Sequence, residues 1–374
     1  PNLAADLGKR EYVHYEPSGK LPWRSHFSSL LLSADVVNTA LEVGLLLALA
    51  MATAAFPGAL DTPGSMRLSQ LIAFLASCSA LRRVYNAYLE AVYFTFPAHR
   101  IQPVAEHALK SNRDLNGRDF AQLKSLVFHD RMTLVTQHLL IMFLYFFVPG
   151  FYPADSSPRG DAAVHVRLFR LIAHHYLLSF GMYWAHRSLH VVPSLWNHIH
   201  SIHHWAKHPL SRNTYQDHWF DNFGNALVGE VAAQILIPLD PTCFWFSRLF
   251  RIMESLEKHA GVSGFTNIAH SAQRWLPFAQ MPHHHDWHHE GHKSCNFTFA
   301  ALGGLWDCLF GTRKAGRAMG HPEHATRQDL NAEATKGVTG YLQIPDDASI
   351  VLSPVLAVLL AASLRLHATG LTVV

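Results

Sequence analysis

Histidines gather in two short stretches of this sequence. Of the 28 histidines in 374 residues, eighteen fall between His174 and His292. Histidine titrates near neutral pH and is the commonest metal ligand in proteins. A single histidine is more often an ordinary hydrogen-bonded residue than a ligand. Groups of histidines at ligand spacing reverse that balance, so the two stretches predict a metal site.

Three groups have the spacing of metal ligands. They are one H-x3-H group, His186 and His190, and two H-x2-H-H groups, His200, His203 and His204, and His285, His288 and His289. On a helix, residues i and i+4 share one face, whereas adjacent residues diverge by about 100°. Each H-x2-H-H group can therefore present a pair to one metal and its third histidine to another. Two metals about 3.5–4 Å apart would use all eight imidazoles.

The residues themselves leave the identity of the metal open. The four cysteines are far apart and form no C-x-x-C pair, which argues against a disulfide framework and a thiolate zinc site. The zinc-protease motif H-E-x-x-H is absent. Imidazole suits iron, copper and other transition metals. Ligating histidines usually donate their second N–H to a carboxylate or carbonyl, and the candidate carboxylates are Asp217, Asp221, Glu257 and Asp286.

The composition is that of a membrane protein. Hydrophobic residues make up 49% of the chain and charged residues 15%, against about 25% charged residues in soluble domains. The net charge of +3 and the absence of a basic stripe argue against nucleic-acid binding. Residues 36–56, 132–151 and 166–189 are apolar enough to predict membrane spans of about 20 residues.

Three other apolar segments are less regular. Residues 68–96 carry charges and predict either a span with one polar face or an interfacial helix. Prolines break residues 226–250, which predicts a re-entrant hairpin or two half-spans, and residues 350–366 are short for a span. Strand-like alternation is scarce. We therefore predict an all-α polytopic membrane bundle with a histidine-box di-metal site at the membrane–water interface.

Three regions follow from this pattern. We predict an N-terminal region with one or two membrane segments and a polar connector (1–131) and a histidine-box catalytic domain (132–314). A polar extension with a C-terminal apolar segment (315–374) completes the chain.

The order of the motifs resembles the fatty acid hydroxylase/sterol desaturase superfamily of membrane di-iron enzymes. "WAHRSLH" from Trp184, "LWNHIHSIHH" from Leu195 and "HDWHH" from His285 resemble its three boxes, and "WDCLFGT" from Trp306 resembles the segment that follows. "EKHAG", from Glu257, resembles an isolated H-x-G element of the family. The resemblance covers roughly residues 166–314. The short H-x3-H box and the "WDCLFGT" ending favour its sterol/sphingoid branch over the acyl-CoA desaturases.

The resemblance implies ten metal ligands, because it adds His259 and His218 to the eight box histidines. The implied ligands are His186, His190, His200, His203, His204, His218, His259, His285, His288 and His289. It also implies two iron ions, which zinc can replace. The implied reaction is hydroxylation or desaturation of a lipid, such as a sterol, a sphingoid base or a fatty acyl chain, with O2 and external electrons.

The resemblance further implies the partners and the location. The chain has no haem-binding H-P-G-G element, so a separate donor such as cytochrome b5 with its reductase would supply the electrons. Membrane lipids would surround the protein, in the endoplasmic reticulum or another organellar membrane. The alternative is an enzyme-derived structural subunit of a membrane complex. A metal-transport path is less consistent, because transporters place polar residues within their spans and these boxes lie at span ends.

Overall fold

The computed structural model describes most of residues 26–313. The described residues are 26–96, 99–101, 120–155, 162–206, 209–264, 266–271, 278–289, 295–298, 300 and 303–313. They are mainly helical, and none of them forms a β-strand beyond two isolated bridges. The all-α prediction is therefore confirmed for this part of the chain. The predicted C-terminal extension and its apolar segment lie outside the described residues.

Four long helices build the scaffold, and shorter elements carry most of the histidines. The long helices are α1 (His26–Ala55), α2 (Leu68–Thr95), α3 (Phe120–Phe147) and α4 (Val164–Val191). The shorter α-helices are α5 (Pro193–His198), α6 (Trp219–Asn225), α7 (Ala232–Leu236), α8 (Pro241–Lys258), α9 (Ile268–Ser271), α10 (Pro282–His289) and α11 (Gly304–Leu309). Two 3-10 helices, His200–Trp205 and Ser211–Tyr215, and a π-helical segment, Ala226–Val231, connect them.

One described helix is long and apolar enough to cross a membrane. It is α1, over Val36–Ala55, where large side chains such as Leu47 and Met51 are exposed. The apolar part of α3 extends only from Met132 to Phe147, which is short of the about 20 residues that a span needs. The helix itself begins earlier than the predicted span, and its first part mixes apolar with polar and charged residues. The polytopic arrangement stays a prediction.

Helix α8 connects the scaffold to the histidines. Its first turn is capped by Asp240, whose side chain accepts a hydrogen bond from the backbone N–H of Cys243 and pairs with Arg167 of α4 at 2.7 Å. Its buried Leu256 packs with Tyr85 and other residues of α2. Helix α8 is thereby fixed against both α2 and α4, and its C-terminal end is held where the histidines converge.

A close helix contact fixes the other side of the site. A Cβ added at Gly181 of α4 would lie 2.1 Å from the carbonyl oxygen of Val228, so only glycine allows the π-helical segment to pack there. The chain then turns between Leu236 and Pro241, where the sequence predicted a break. The prediction that the segments on either side form a re-entrant hairpin or two half-spans in a membrane stays a prediction.

Candidate metal centre

Nine of the ten predicted ligands come together in two adjacent clusters. Site A comprises His186, His190, His200, His204 and His288. Site B comprises His203, His259, His285 and His289. Within each cluster the candidate ligand nitrogens lie within 4.8 Å of one another. The two clusters touch, since the rings of His204 and His289 are stacked with centroids 4.4 Å apart.

Both H-x2-H-H groups divide between the two sites. In the first group, His200 and His204 belong to site A and His203 to site B. In the second group the i,i+4 pair belongs to site B and His288 to site A. The first group lies on a 3-10 helix and not on the α-helix assumed from the spacing. At Ile199, φ of −120° and ψ of −70° end α5 and redirect the chain.

The Nε2 atoms of neighbouring histidines face one another across each site. In site A, His186 Nε2 lies 2.9 Å from His200 Nε2 and 3.1 Å from His190 Nε2. In site B, His285 Nε2 lies 2.8 Å from His259 Nε2 and 3.1 Å from His289 Nε2.

Four of the nine histidines place Nδ1 against a backbone carbonyl. His186 Nδ1 lies 2.6 Å from the carbonyl oxygen of Phe297, and His288 Nδ1 lies 2.6 Å from that of Cys295. His259 and His289 make the same contact, each at 2.9 Å, with Ser255 and Ala206. A carbonyl oxygen only accepts hydrogen bonds, so Nδ1 carries the proton and Nε2 of each neutral ring keeps its lone pair.

These tautomers fit a bound metal. Lone pairs that face each other at about 3 Å repel unless a cation lies between them. Burial and neighbouring histidines lower the pKa of His203, His204 and His285 well below the ordinary value. Burial lowers the pKa of His259 to about 4. The rings are therefore neutral at physiological pH, which is the form that binds metal ions.

The spacing of the Nε2 atoms favours right-angled coordination. With metal–nitrogen bonds of about 2.05 Å, ligands at 90° are about 2.9 Å apart and tetrahedral ligands about 3.3 Å apart. Two of the observed separations, 2.8 and 2.9 Å, match the first value, and the other three, at 3.1 Å, are still shorter than the tetrahedral value. Structural zinc is almost always tetrahedral, so the spacing fits a transition metal of higher coordination number better.

The domain that holds these clusters matches a known family. Residues 171–312 match the model of the fatty acid hydroxylase family. Over these residues the chain resembles the fatty acid hydroxylase family, and residues 171–312 are called the hydroxylase domain below. This finding confirms the resemblance predicted from the motifs, and the match includes every residue of sites A and B.

Several named proteins are similar to the fatty acid hydroxylase domain and its surroundings. A putative methylsterol monooxygenase of Dictyostelium discoideum is 28% identical over 188 residues, 48% of this chain and 64% of that protein. A very-long-chain aldehyde decarbonylase of Oryza sativa subsp. japonica is 27% identical, over 42% of this chain and 49% of that protein. Methylsterol monooxygenase 1-1 of Arabidopsis thaliana is 27% identical, over 40% of this chain and 48% of that protein.

The matched region thus covers about half to two thirds of the length of these relatives. No solved structure matches the chain.

Asp221, one of the four predicted carboxylates, contacts a histidine of the hydroxylase domain's clusters directly. Asp221 Oδ2 lies 2.5 Å from His200 Nδ1, and Asn225 donates a hydrogen bond to Asp221 Oδ1 at 2.7 Å. Asp217 instead accepts a hydrogen bond from the side-chain amide of Asn222. The other two predicted carboxylates are both buried. Glu257 contacts His270, which belongs to neither cluster, and Asp286 lies in α10.

The structure places His218 outside both clusters. Its ring lies 4.3 Å from that of His129, centroid to centroid, and its Nδ1 accepts a hydrogen bond from the backbone N–H of Phe220. In this position His218 caps the N-terminus of α6, the helix that carries Asp221 and Asn225.

Asp307, in the hydroxylase domain's "WDCLFGT" segment, has a role that sequence reasoning missed. Its carboxylate accepts hydrogen bonds from the backbone N–H groups of Phe297 and Thr298, at 2.8 and 3.0 Å, and from the hydroxyl of Thr312. It therefore fixes the backbone segment whose Phe297 carbonyl orients His186. The motif itself was the available signal, but its spacing gives no indication of this contact.

Proposed function

We propose that the chain is a membrane-bound di-iron oxygenase that hydroxylates or desaturates a lipid with O2 and external electrons. The observation that carries the proposal is the pair of adjacent all-histidine clusters whose Nε2 atoms converge. The histidines of sites A and B would each hold one iron. An iron pair bound there would supply the activation of O2, with two electrons from a donor.

The composition of the two sites supports iron chemistry. Five nitrogens at site A and four at site B leave about one and two positions open in a six-coordinate geometry. Open positions are what a catalytic metal needs and a closed structural site lacks. Zinc can occupy the same ligands, because zinc follows iron in the order of affinities for divalent metals.

The protein surroundings would control the chemistry in two ways. Backbone carbonyls fix the rings of His186, His259, His288 and His289 in the tautomer that points Nε2 inward, and such contacts tune ligand basicity. The ring atoms of His186, His285 and His288 are fully buried, which keeps bulk water from the reacting centre.

The relatives' names support a lipid as the substrate. Those of Dictyostelium discoideum and Arabidopsis thaliana refer to methylsterols, and that of Oryza sativa to very-long-chain aldehydes. Together with the family, they indicate an oxidoreductase that acts on lipids. We further propose that cytochrome b5 and its reductase supply the electrons, and that the protein resides in the endoplasmic reticulum membrane.

The test combines metal analysis, turnover and lipidomics. Protein purified without oxygen and loaded with iron is expected to contain close to two irons per chain. It is also expected to consume O2 when NADH, cytochrome b5 and its reductase are supplied with membrane lipids. Lipidomics of cells that contain the protein, a His288→Ala variant or neither should reveal an oxidised product only in the first. Protein that holds two metals but oxidises no lipid would instead support the structural-subunit alternative.

A further inference from the structure

Asn296 has a backbone conformation that residues other than glycine rarely adopt. Its φ of 55° lies in the left-handed region, and Phe278 is the one other non-glycine residue with a positive φ in the described part of the chain. Asparagine is among the few residues enriched in this conformation. Asn296 is also fully buried. A conformation of this kind persists only where the surrounding structure holds it, and it is found most often at functional sites.

The two residues that flank Asn296 both contact ligands of site A. The carbonyl oxygen of Cys295 lies 2.6 Å from His288 Nδ1, and that of Phe297 lies 2.6 Å from His186 Nδ1. The rings of these two histidines lie 4.8 Å apart, centroid to centroid. A single turn of backbone therefore orients two of the five histidines of site A.

The torsion angles of Asn296 set the angle between these two carbonyl groups. Asn296 lies between them in the chain, so its φ and ψ determine how one carbonyl is turned relative to the other. A change of φ from 55° to the helical value of about −63° would turn one of them by more than about 100°. With the neighbouring backbone in place, at most one of the two histidine contacts would survive that rotation.

Hydrogen bonds hold the neighbouring backbone in place. The N–H of Asn296 donates to the carbonyl of Thr312 at 2.9 Å. The N–H groups of Phe297 and Thr298 donate to Asp307 at 2.8 and 3.0 Å. The segment therefore cannot shift freely to compensate for a different conformation at position 296.

The side chain of Asn296 ties this turn to the helix that carries His288. Its amide nitrogen donates a hydrogen bond to the carbonyl oxygen of His284, in α10, at 3.1 Å. Glycine would tolerate the same backbone conformation but offers no side-chain donor, and an ionised aspartate would bring only acceptors. Asparagine combines tolerance of the left-handed conformation with the donor that this contact needs.

We propose that Asn296 is a positioning residue for the metal of site A. Its left-handed backbone holds the carbonyls of Cys295 and Phe297 against the outward nitrogens of His288 and His186, so that both rings turn Nε2 toward the metal. Asn296 itself is a member of neither cluster. The proposal rests on the metal binding that the proposed function requires, and it concerns site A alone.

The first arm of the test separates the conformation at position 296 from the side chain. Asn296→Gly removes the amide and keeps the left-handed conformation, which glycine adopts at no steric cost. Asn296→Val also removes the amide, but a β-branched residue resists positive φ. Asn296→Ala lacks the branch and is intermediate. Each metal-free full-length variant is titrated with Co²⁺, an ion that imidazole binds, in competition with a chelator, and the visible absorption of the bound Co²⁺ is recorded.

The conformation, and not the amide, should decide the affinity. Asn296→Val should weaken one of the two Co²⁺ ions about 10- to 100-fold, as is usual when a partner of a metal ligand is altered, and should shift the absorption of that ion. Asn296→Ala should weaken the same ion less. Asn296→Gly should bind both ions nearly as tightly as the unaltered protein.

The second arm identifies the site that responds. Each substitution at position 296 is combined with His203→Ala, which impairs site B, or with His186→Ala, which impairs site A. The ion that stays tightly bound lies in site A in the first background and in site B in the second. Asn296→Val should weaken it in the His203→Ala background alone. A general loss of structure would weaken it in both backgrounds, so this comparison separates positioning from folding.

The proposal is wrong if Asn296→Val binds both ions as tightly as the unaltered protein, if Asn296→Gly loses as much affinity as Asn296→Val, or if the ion weakens equally in both backgrounds. Should Asn296→Val fail to fold, the difference between Asn296→Ala and Asn296→Gly decides. Binding is measured without turnover. A selective loss at site A in a protein that oxidises no lipid would therefore support the proposal and refute the oxygenase function alone, whereas an unaltered protein that binds no Co²⁺ would refute both.

Discussion

Sites A and B have the same ligand type but different surroundings. Site A has five histidines, two of which, His190 and His204, are half-buried, and one of its rings contacts the carboxylate of Asp221. Site B has four histidines, all buried. Backbone carbonyls accept from two histidines in each site, His186 and His288 in site A and His259 and His289 in site B. Site A is therefore the more accessible and more strongly ligated of the two, and site B is the more enclosed.

This difference predicts different sensitivities. A carboxylate on the second ring nitrogen raises the basicity of a histidine ligand, so the ion of site A should be held more tightly. Site B has one histidine ligand fewer than site A, so its metal would have one more open coordination position for small molecules. The four predictions below test this contrast.

The largest effect is expected from removal of one ligand in each site. His186→Ala in site A and His203→Ala in site B should both abolish turnover, because the proposed di-iron reaction needs both metals. The iron content should differ, with His203→Ala losing its ion more completely, since three histidines remain at site B and four at site A. Iron per chain and lipid product are the measurements.

Circular dichroism is the control for these variants. The helices are held mainly by their own backbone hydrogen bonds and by packing, so both variants should stay folded. Normal turnover of either variant would contradict the assignment of that site. Equal loss of iron from both variants would contradict the difference between the sites.

The contrast between the sites also separates what the sequence could predict from what it could not. The i,i+4 spacing is local, so it was sufficient to group His285 with His289 and to separate His288. The orienting carbonyls of Phe297, Cys295 and Ala206 were beyond prediction. Every residue has a carbonyl, so the sequence contains no signal for which one will face a ring.

The same distinction holds for the fold. Long apolar runs located α4 closely and the end of α1 closely, because hydrophobicity and helix length are properties of a segment. The start of α1 was missed, since this helix begins at His26, ten residues before the predicted span. The start of α3 at Phe120 was missed, because polar and charged residues interrupt the apolar ones between residues 120 and 131 and break the long apolar run. The sequence likewise does not reveal why position 181 is glycine, since the carbonyl that Gly181 contacts belongs to Val228, which is distant in sequence.

A smaller effect is expected when the carboxylate of site A loses its charge. Asp221→Asn should lower activity and the metal affinity of site A about 10- to 100-fold, as is usual when a partner of a metal ligand is altered. The matched control is Asp217→Asn. Burial and the neighbouring Asp221 raise the pKa of Asp217 well above its usual value, so a neutral amide there should cost little. Metal titration of both variants is the measurement, and equal losses would show that Asp221 has no special role.

Acidification should affect both sites alike. Burial lowers the pKa of His204 in site A and of His203 and His289 in site B well below 6.5, and that of His259 to about 4. Between pH 6.5 and 4 the unfolded chain binds protons that the folded metal-free protein does not. The free energy of unfolding therefore falls as the pH falls, by up to about 1.4 kcal/mol per pH unit and histidine.

Denaturant unfolding of metal-free protein between pH 7 and pH 4.5 measures this effect. Iron should stay bound at both sites at pH 5.5, because protons do not yet compete for the buried rings. Release of one iron per chain at pH 5.5 would show that one site is more open to protons than its burial indicates.

The smallest effect is expected at His218, which the motifs placed among the ligands and the structure places at the N-terminus of α6. His218→Ala should keep both irons, because neither cluster includes this residue. Loss of the cap on the backbone N–H of Phe220 should cost about 0.5–2 kcal/mol of stability. His218→Asn is the matched variant, since asparagine is a favoured capping residue and should restore that stability. Loss of one iron per chain from both His218→Ala and His218→Asn would contradict this prediction. It would show that His218 is a metal ligand, although it lies outside both clusters.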